Sequence, residues 1–203
     1  GAGKSTVARG VAAELGITYL DSGAMYRCVA LAALRRGADP DDAAEAAAVA
    51  GETEITFRGD EVMLDGEDVS AAIRSPEVTA AASRVSVHPG VRDAMVARQR
   101  RLIASGAYVA EGRDIGTVVS PESPLKVFLT ASDEERARRR AAQTGESQAE
   151  VLAAQRERDR RDTERELGAL RAADDAVLID TTGIGAREVV ERIASLARER
   201  GIV

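Results

Sequence analysis

Gly1-Ala2-Gly3-Lys4-Ser5-Thr6 opens the sequence, and its reading decides the fold. It matches the second half of the phosphate-binding pattern G-x-x-x-x-G-K-[ST]. Small residues let successive backbone N–H groups turn inward around phosphate oxygens. Lys4 can then reach β- and γ-phosphates, and the Ser5 hydroxyl can ligate Mg²⁺. A helix follows at once, with Val7, Val11 and Leu15 on one stripe and Gly16 as its stop, so its positive end would face the anion. Only one other lysine, Lys126, accompanies Lys4 in a chain with 28 Lys+Arg. The plainer reading is that the glycines mark an ordinary turn before a helix. The first glycine of the pattern and the strand that should precede it are not in the sequence, so upstream residues are expected, roughly ten or more, enough for a strand of typical length.

The bulk properties narrow the class. A length of 203 residues suits one compact domain with sub-domains. Hydrophobic residues make up 44% and aromatics only 2%, so the core must be built from Ala, Val, Leu and Ile. A net charge of −6 argues against a general nucleic-acid binder, which is usually basic. The single cysteine, Cys28, allows no internal disulfide and fits a reducing cytosol, so a cytoplasmic location is expected. Beside Val29 and Leu31 on an apolar stripe, Cys28 reads as a small core hydrophobe. The one histidine, His88, precedes Pro89 and reads as a helix-boundary residue. No apolar run reaches membrane-spanning length and no signal peptide is visible, so no membrane partner is expected.

Outward from the loop, short apolar strands alternate with amphipathic helices, the pattern of an α/β protein with a parallel sheet. Thr18 to Leu20 reads as a strand ending at Asp21-Ser22-Gly23, and a helix runs from Ala24 to about Arg36. Asp39-Pro40 is expected to open the next helix, with Asp39 as its cap. Glu54 to Arg58 and Glu61 to Asp65 alternate with period two around Gly59-Asp60, a β-hairpin. Ser75-Pro76 starts a helix, and another spans about Pro89 to Ala104. Tyr108 to Ala110, Leu125 to Leu129 and Ala176 to Ile179 read as buried strands. Ser132-x-x-Glu135 and Ser147-x-x-Glu150 are capping boxes that announce helices, and a last helix runs from about Ala186 to Arg200.

Three further stretches carry chemistry. Glu111-Gly112-Arg113-Asp114-Ile115-Gly116-Thr117 follows a predicted strand, where loops of open α/β sheets form the ligand crevice. It can read a phosphate and a base, or it can be a Gly-flanked turn with a local Arg–Asp pair. Asp21-Ser22-Gly23 with Tyr26 and Arg27 sits at another strand end. From Arg136 to Arg171 the chain is rich in arginine. Most of that reads as a solvated helix face with pairs such as Glu157–Arg161. Arg156, Arg158, Arg160, Arg161 and Arg165 nevertheless interleave with Asp159 and Asp162 densely enough for a lid closing over polyphosphate.

Taken together, the GAGKST loop, Tyr19 to Arg27, Ala82-Ser-Arg-Val85, Val91-Arg92, Gly112 to Thr117 and Glu157 to Arg165 resemble the bacterial cytidylate kinases, a nucleoside monophosphate kinase family. The resemblance spans nearly the whole chain, and its most specific parts are the GRD-x-GT loop and the ERD-x-x-D segment. It implies a P-loop three-layer α/β sandwich with a central parallel sheet, a helical lid and an inserted monophosphate-binding lobe with a small antiparallel sheet. The core would be residues 1–34, 89–136 and 166–203, the lobe 35–88 and the lid 137–165. The lobe's inserted sheet, in the Thr53 to Val69 region, is similar to that of the longer bacterial form. The missing front half of the P-loop is the departure from the family's pattern.

The resemblance also implies an activity, transfer of the γ-phosphate of ATP to CMP or dCMP. ATP would sit on Gly1, Ala2, Gly3, Lys4, Ser5 and Thr6, with Mg²⁺ held through Ser5. Arg27, Arg113 and Arg165 would hold the acceptor phosphate, and Arg158 with Arg138 or Arg139 would reach the transferring group. Asp114 would face the cytosine amine, with Ser83 and Arg92 on the remaining edge and Ser22 nearby, and Asp162 would bond the sugar hydroxyls. The acceptor is already anionic, so the chemistry needs no general base, only charge stabilisation. A monomer is expected. Other P-loop small-molecule kinases, such as a UMP/CMP or shikimate kinase, are the enzyme alternatives, and a nucleotide-binding module is the non-catalytic one. A hydroxyl acceptor would call for a carboxylate base, for which Asp21 is the only obvious candidate; Asp21 is read instead as ordering the loop or the surroundings of Mg²⁺.

Overall fold

Gly3 takes a left-handed backbone, φ 76°, and hands the chain directly into helix α1 (Lys4–Leu15). A side chain is strained at such an angle and glycine is not, which is why the loop ends on glycine there. The computed structural model describes residues 3–59, 61–164 and 171–202, with the side chains of 143, 144 and 157–164 outside the description. The chain divides into two compact units, Gly1–Ile17 with Arg113–Val203, and Thr18–Gly112.

In the first unit, strands β6 (Val127–Thr130) and β7 (Val177–Asp180) pair in parallel, with Val127 opposite Val177 and Thr130 opposite Asp180. Helix α1 packs on α8 (Ala186–Glu199). Their buried residues are Val7, Ala8, Val11 and Ala12 on one helix and Val189, Ile193, Ala194 and Ala197 on the other. The helices approach closely at Gly10, where an added methyl would lie 2.6 Å from Val190 Cγ2. Helices α6 (Asp133–Thr144) and α7 (Gln148–Glu164) pack together as a hairpin. Ser132 Oγ accepts from Glu135 N and Ser147 Oγ from Glu150 N, so both capping boxes start helices as expected.

The second unit holds the other parallel pair, β1 (Thr18–Asp21) with β5 (Tyr108–Glu111), in register Thr18 to Tyr108 and Asp21 to Glu111. Helix α2 (Ser22–Arg36) packs on α4 (Pro76–Val85), and α3 (Ala43–Glu52) packs on α5 (Pro89–Ala104). The core is aliphatic, as the composition requires: Leu20, Met25, Val29, Ile73, Val85, Val91 and Met95 are fully buried. Cys28 is buried among them, and burial pushes its thiol up to about 12. His88 precedes α5, with Nε2 2.9 Å from the Pro40 carbonyl oxygen.

The expected hairpin is present as β2 (Ile55–Arg58) and β3 (Glu61–Leu64), joined by the two residues 59 and 60. A third strand, β4 (Glu67–Asp68), extends it through Asp65-Gly66, both at positive φ. Asp-Gly between strands is a strong hairpin signal that pattern reading passed over because β4 is only two residues long. The helix expected at Asp39-Pro40 begins instead at Ala43, with Asp42 as cap accepting from Ala44 N and Glu45 N. Asp39 spends its side chain on Asp41 N within the preceding turn, and Glu45 reaches back to Asp39 N. Two competing aspartates stood three residues apart, and the one offering two helix amides a partner became the cap. The partition also differs from the three-part scheme. Strands β1 and β5 with helices α2 and α5 group with the 35–88 segment, because α4 and α3 pack on α2 and α5.

Candidate functional site

The phosphate-loop end of α1 is built to receive an anion. No side chain among the described residues caps the helix, its first turn holds no acidic residue, and Lys4, Ser5 and Thr6 are exposed there. First-turn N–H groups lack partners inside a helix, and the dipole adds positive potential, so an oxyanion is the natural complement. Val7 N bonds back to the Gly3 carbonyl at 2.9 Å, which holds the left-handed turn against the helix.

Arg139 stands beside this end, its Nη1 4.0 Å from where a methyl on Gly3 would be. The guanidinium is held from α6 by Glu135, through Nε at 2.8 Å, and from the other side by the Thr181 and Ile184 carbonyls, at 2.6 and 3.2 Å from Nη2. Arg138 is exposed and bonds the same Glu135 with two nitrogens, both at 2.8 Å. Those bonds from Arg138, with Arg139 adding to them, hold the Glu135 carboxyl down to about 2. Of the lid arginines expected at the donor, Arg139 lies next to the loop.

The loop after Glu111 follows a different logic. Asp114 carbonyl oxygen accepts from Val118 N at 2.8 Å and from Thr117 and Val119 N at 3.3 Å, winding Ile115–Val119 into one π-helical turn. Asp114 itself is buried, 8% exposed, and Arg113 is half-buried.

In the second unit, Asp21 does two jobs. Its Oδ1 accepts from Ala24 N at 2.9 Å, capping α2, and its Oδ2 holds Arg27 Nη2 at 2.8 Å. Gly23 leaves room for the pair, since a methyl there would fall 3.2 Å from Asp21 Oδ1 and 3.3 Å from Arg27 Nη1. Arg27 Nε is buried with no hydrogen-bond partner among the described residues. Ser22 Oγ donates to the Glu111 carbonyl at 2.6 Å, and Tyr19 Oη donates to Glu111 Oε1 at 2.7 Å. Asp21, Ser22 and Arg27 are therefore gathered at the carboxyl ends of β1 and β5. Arg92 is buried on α5, whereas Ser83 is exposed on α4, its hydroxyl 3.4 Å from the Thr79 carbonyl oxygen.

The remaining expectations fall elsewhere. Gly1, Ala2 and Arg165 lie outside the described residues, and Arg158 and Asp162 belong to α7 with side chains outside them. The sequence reading gives no holding role to Glu111, which accepts from Ser22, to Tyr19, which bonds Glu111, or to Glu135, which holds Arg138 and Arg139. In the sequence Glu135 reads as part of a capping box, and the helical spacing to Arg138 and Arg139 is the signal of its second role. Among the described residues no group of three His, Cys, Asp or Glu is placed to hold a metal ion, and no helix is long and apolar enough to cross a membrane.

A glycine turn feeding an uncapped helix in an α/β chain with parallel strands defines a P-loop nucleotide-binding protein. Residues 1–199 match the cytidylate kinase family model, and the chain belongs to that family. It is 47% identical to a cytidylate kinase of Solibacter usitatus, over 98% of this chain and 89% of that one. It is likewise 47% identical to a cytidylate kinase of Mycobacterium avium, over 100% of this chain and 93% of that one. A bifunctional pantoate ligase/cytidylate kinase of Synechococcus sp. is 48% identical over 98% of this chain, which spans 39% of that longer protein.

Proposed function

We propose that this protein transfers the γ-phosphate of ATP to CMP or dCMP, giving ADP and CDP or dCDP, as a cytoplasmic monomer. The observation that carries the reading is the left-handed Gly3 leading into an uncapped, acid-free helix start with Lys4 and Ser5 on its first turn. The names of the relatives support the choice of acceptor.

The chemical problem is the meeting of two polyanions. An acceptor phosphate carries its own nucleophilic oxygen, so positioning and charge neutralisation do the work. Lys4 and the α1 amides would hold the β- and γ-phosphates. Arg27, Arg113 and Arg165 would hold the acceptor phosphate, and Arg158 with Arg139 or Arg138 would spread charge on the transferring group. The partly exposed guanidinium of Arg27, held by Asp21 at the carboxyl end of β1, suits that part. Asp21 restrains Arg27 and orders the loop at α2, which suits a holding role better than that of a base. Mg²⁺ fits the exposed Ser5 hydroxyl, since this ion takes one or two protein oxygens and completes its shell with phosphates and water. When bound it neutralises charge on the β- and γ-oxygens.

Asp114 would accept from the exocyclic amine of cytosine, a group that uracil replaces with a carbonyl. Ser83, Arg92 and Ser22 would complete the acceptor site, and Asp162 would bond the sugar. Residues 35–88 and 137–165 would act as lobe and lid. Release of ADP measured with a panel of monophosphates tests the reading. Turnover with CMP and dCMP and little with AMP is expected, and Asp114→Asn should shift preference from CMP toward UMP. Turnover of AMP in preference to CMP would sink it.

A further inference from the structure

The proposed chemistry leaves Lys126 without a part, yet one contact ties this lysine to the loop that bears Arg113 and Asp114, and two others fix the lysine in place. Gly116, inside the π-helical turn, faces the lysine stem. A methyl there would lie 3.2 Å from Lys126 Cδ, 3.4 Å from Cγ and 3.7 Å from Cβ. Gly116 has no positive φ, so what the position demands is space and not an unusual backbone. The lysine tip is clamped: Nζ bonds both carboxylate oxygens of Asp175, at 2.8 and 2.7 Å, and the side chain is only 10% exposed. The lysine backbone is fixed as well, because its carbonyl accepts from Val177 N at 2.8 Å where β6 meets β7. A four-carbon stem pinned at both ends is a wall, whereas an unclamped aliphatic chain could move aside.

We infer that Lys126, clamped by Asp175, is a positioning residue: its stem seats the 113–117 loop and so sets how well the site discriminates between acceptor bases. The link to base choice rests on the reading of Asp114 given above. Gly116 lies two residues from Asp114, and the Asp114 carbonyl anchors the same turn through Val118 N. A loop that slides along the stem carries the Asp114 carboxylate with it. Displacements of about 1 Å in a positioning element can lower turnover by up to about a hundredfold. Asp175 is 65% exposed, so the ion pair by itself stabilises little and the clamp's value is geometric.

The experiment compares Lys126→Ala, Asp175→Asn, Gly116→Ala, the double variant Gly116→Ala/Lys126→Ala and Asp114→Asn, each in the full chain. For each, kcat/KM is measured with CMP and with UMP, KM with ATP, and hydrogen exchange at the Val118 and Ser120 amides. Lys126→Ala should lower the CMP:UMP ratio about tenfold, speed exchange at both amides and leave KM for ATP unchanged. Asp175→Asn should do the same more weakly, and it keeps the test open if Lys126→Ala folds poorly. Gly116→Ala should lose turnover that the double variant regains. If Asp114→Asn shifts the ratio and the Lys126 and Asp175 variants do not, the inference is overturned and Lys126 is merely structural. If Asp114→Asn leaves the ratio unchanged, the base reading has failed. The positioning role is then decided by exchange and by KM for CMP: both must rise in Lys126→Ala, and unchanged values overturn it.

Discussion

Replacing Gly10 with alanine probes the contact on which the phosphate loop is mounted. The new methyl would sit 2.6 Å from Val190 Cγ2. Carbon atoms in contact prefer about 3.5–4.0 Å, so roughly 1 Å has to be found. Val190 cannot supply it by turning, because a β-branched residue in a helix is held to one rotamer. Helices α1 and α8 must therefore separate. Overpacking of this kind costs about 1–3 kcal/mol. Alanine's better helix propensity returns about 0.8–1.0 kcal/mol. The net expectation is a loss of about 0–2 kcal/mol, or roughly 0–8 °C in Tm for a chain of this size. In a Val190→Ala background the clash disappears and only the propensity term is left, so the same change should stabilise by about 1 kcal/mol. The four proteins of the cycle, unfolded thermally and in urea, should give a coupling of about 1–3 kcal/mol. Gly10→Ala with the same effect in both backgrounds, within about 0.5 kcal/mol, would refute the close approach.

Three other outcomes are expected. Arg113→Ala should slow phosphoryl transfer by about 10³ or more while ATP binding, followed by equilibrium titration, stays near wild type; normal turnover would remove Arg113 from the proposed mechanism. Cys28, fully buried with its thiol raised to about 12, should resist alkylation at pH 8 until the protein is unfolded, and rapid stoichiometric labelling of the native state would contradict its burial. The Glu135 carboxyl falls from 4.5 to about 2 on folding through its bonds to Arg138 and Arg139. The stability it contributes is complete above the higher value and lost as pH falls through the lower one. Glu135→Gln should therefore flatten the acid limb of the stability curve between those values; an identical limb would show the pairs contribute nothing.

Much of the fold follows from patterns a few residues long. The stripe of Val7 and Val11, the Ser75-Pro76 and His88-Pro89 starts, the two capping boxes and the pairing of β2 with β3 all lie in the structure where local chemistry puts them. Local rules work there because helix starts and tight turns are satisfied by bonds within four or five residues. They fail where two local solutions compete, as at Asp39 and Asp42. They fail again where an element is too short to show a period, as at β4.

The sequence by itself determined the α/β class, the phosphate-binding loop end and the set of arginines and carboxylates from which a site can be built, because residue type and short spacing decide what a loop can bind. Tertiary structure alone decided which of those groups stand together. Tyr19 and Ser22 meet Glu111 across about ninety positions of chain, Arg139 on α6 meets Thr181 and Ile184 in the loop between β7 and α8, and Lys126 meets Gly116 and Asp175. Such partners are chosen by strand register and helix packing, which depend on the whole folded chain and leave no spacing to read.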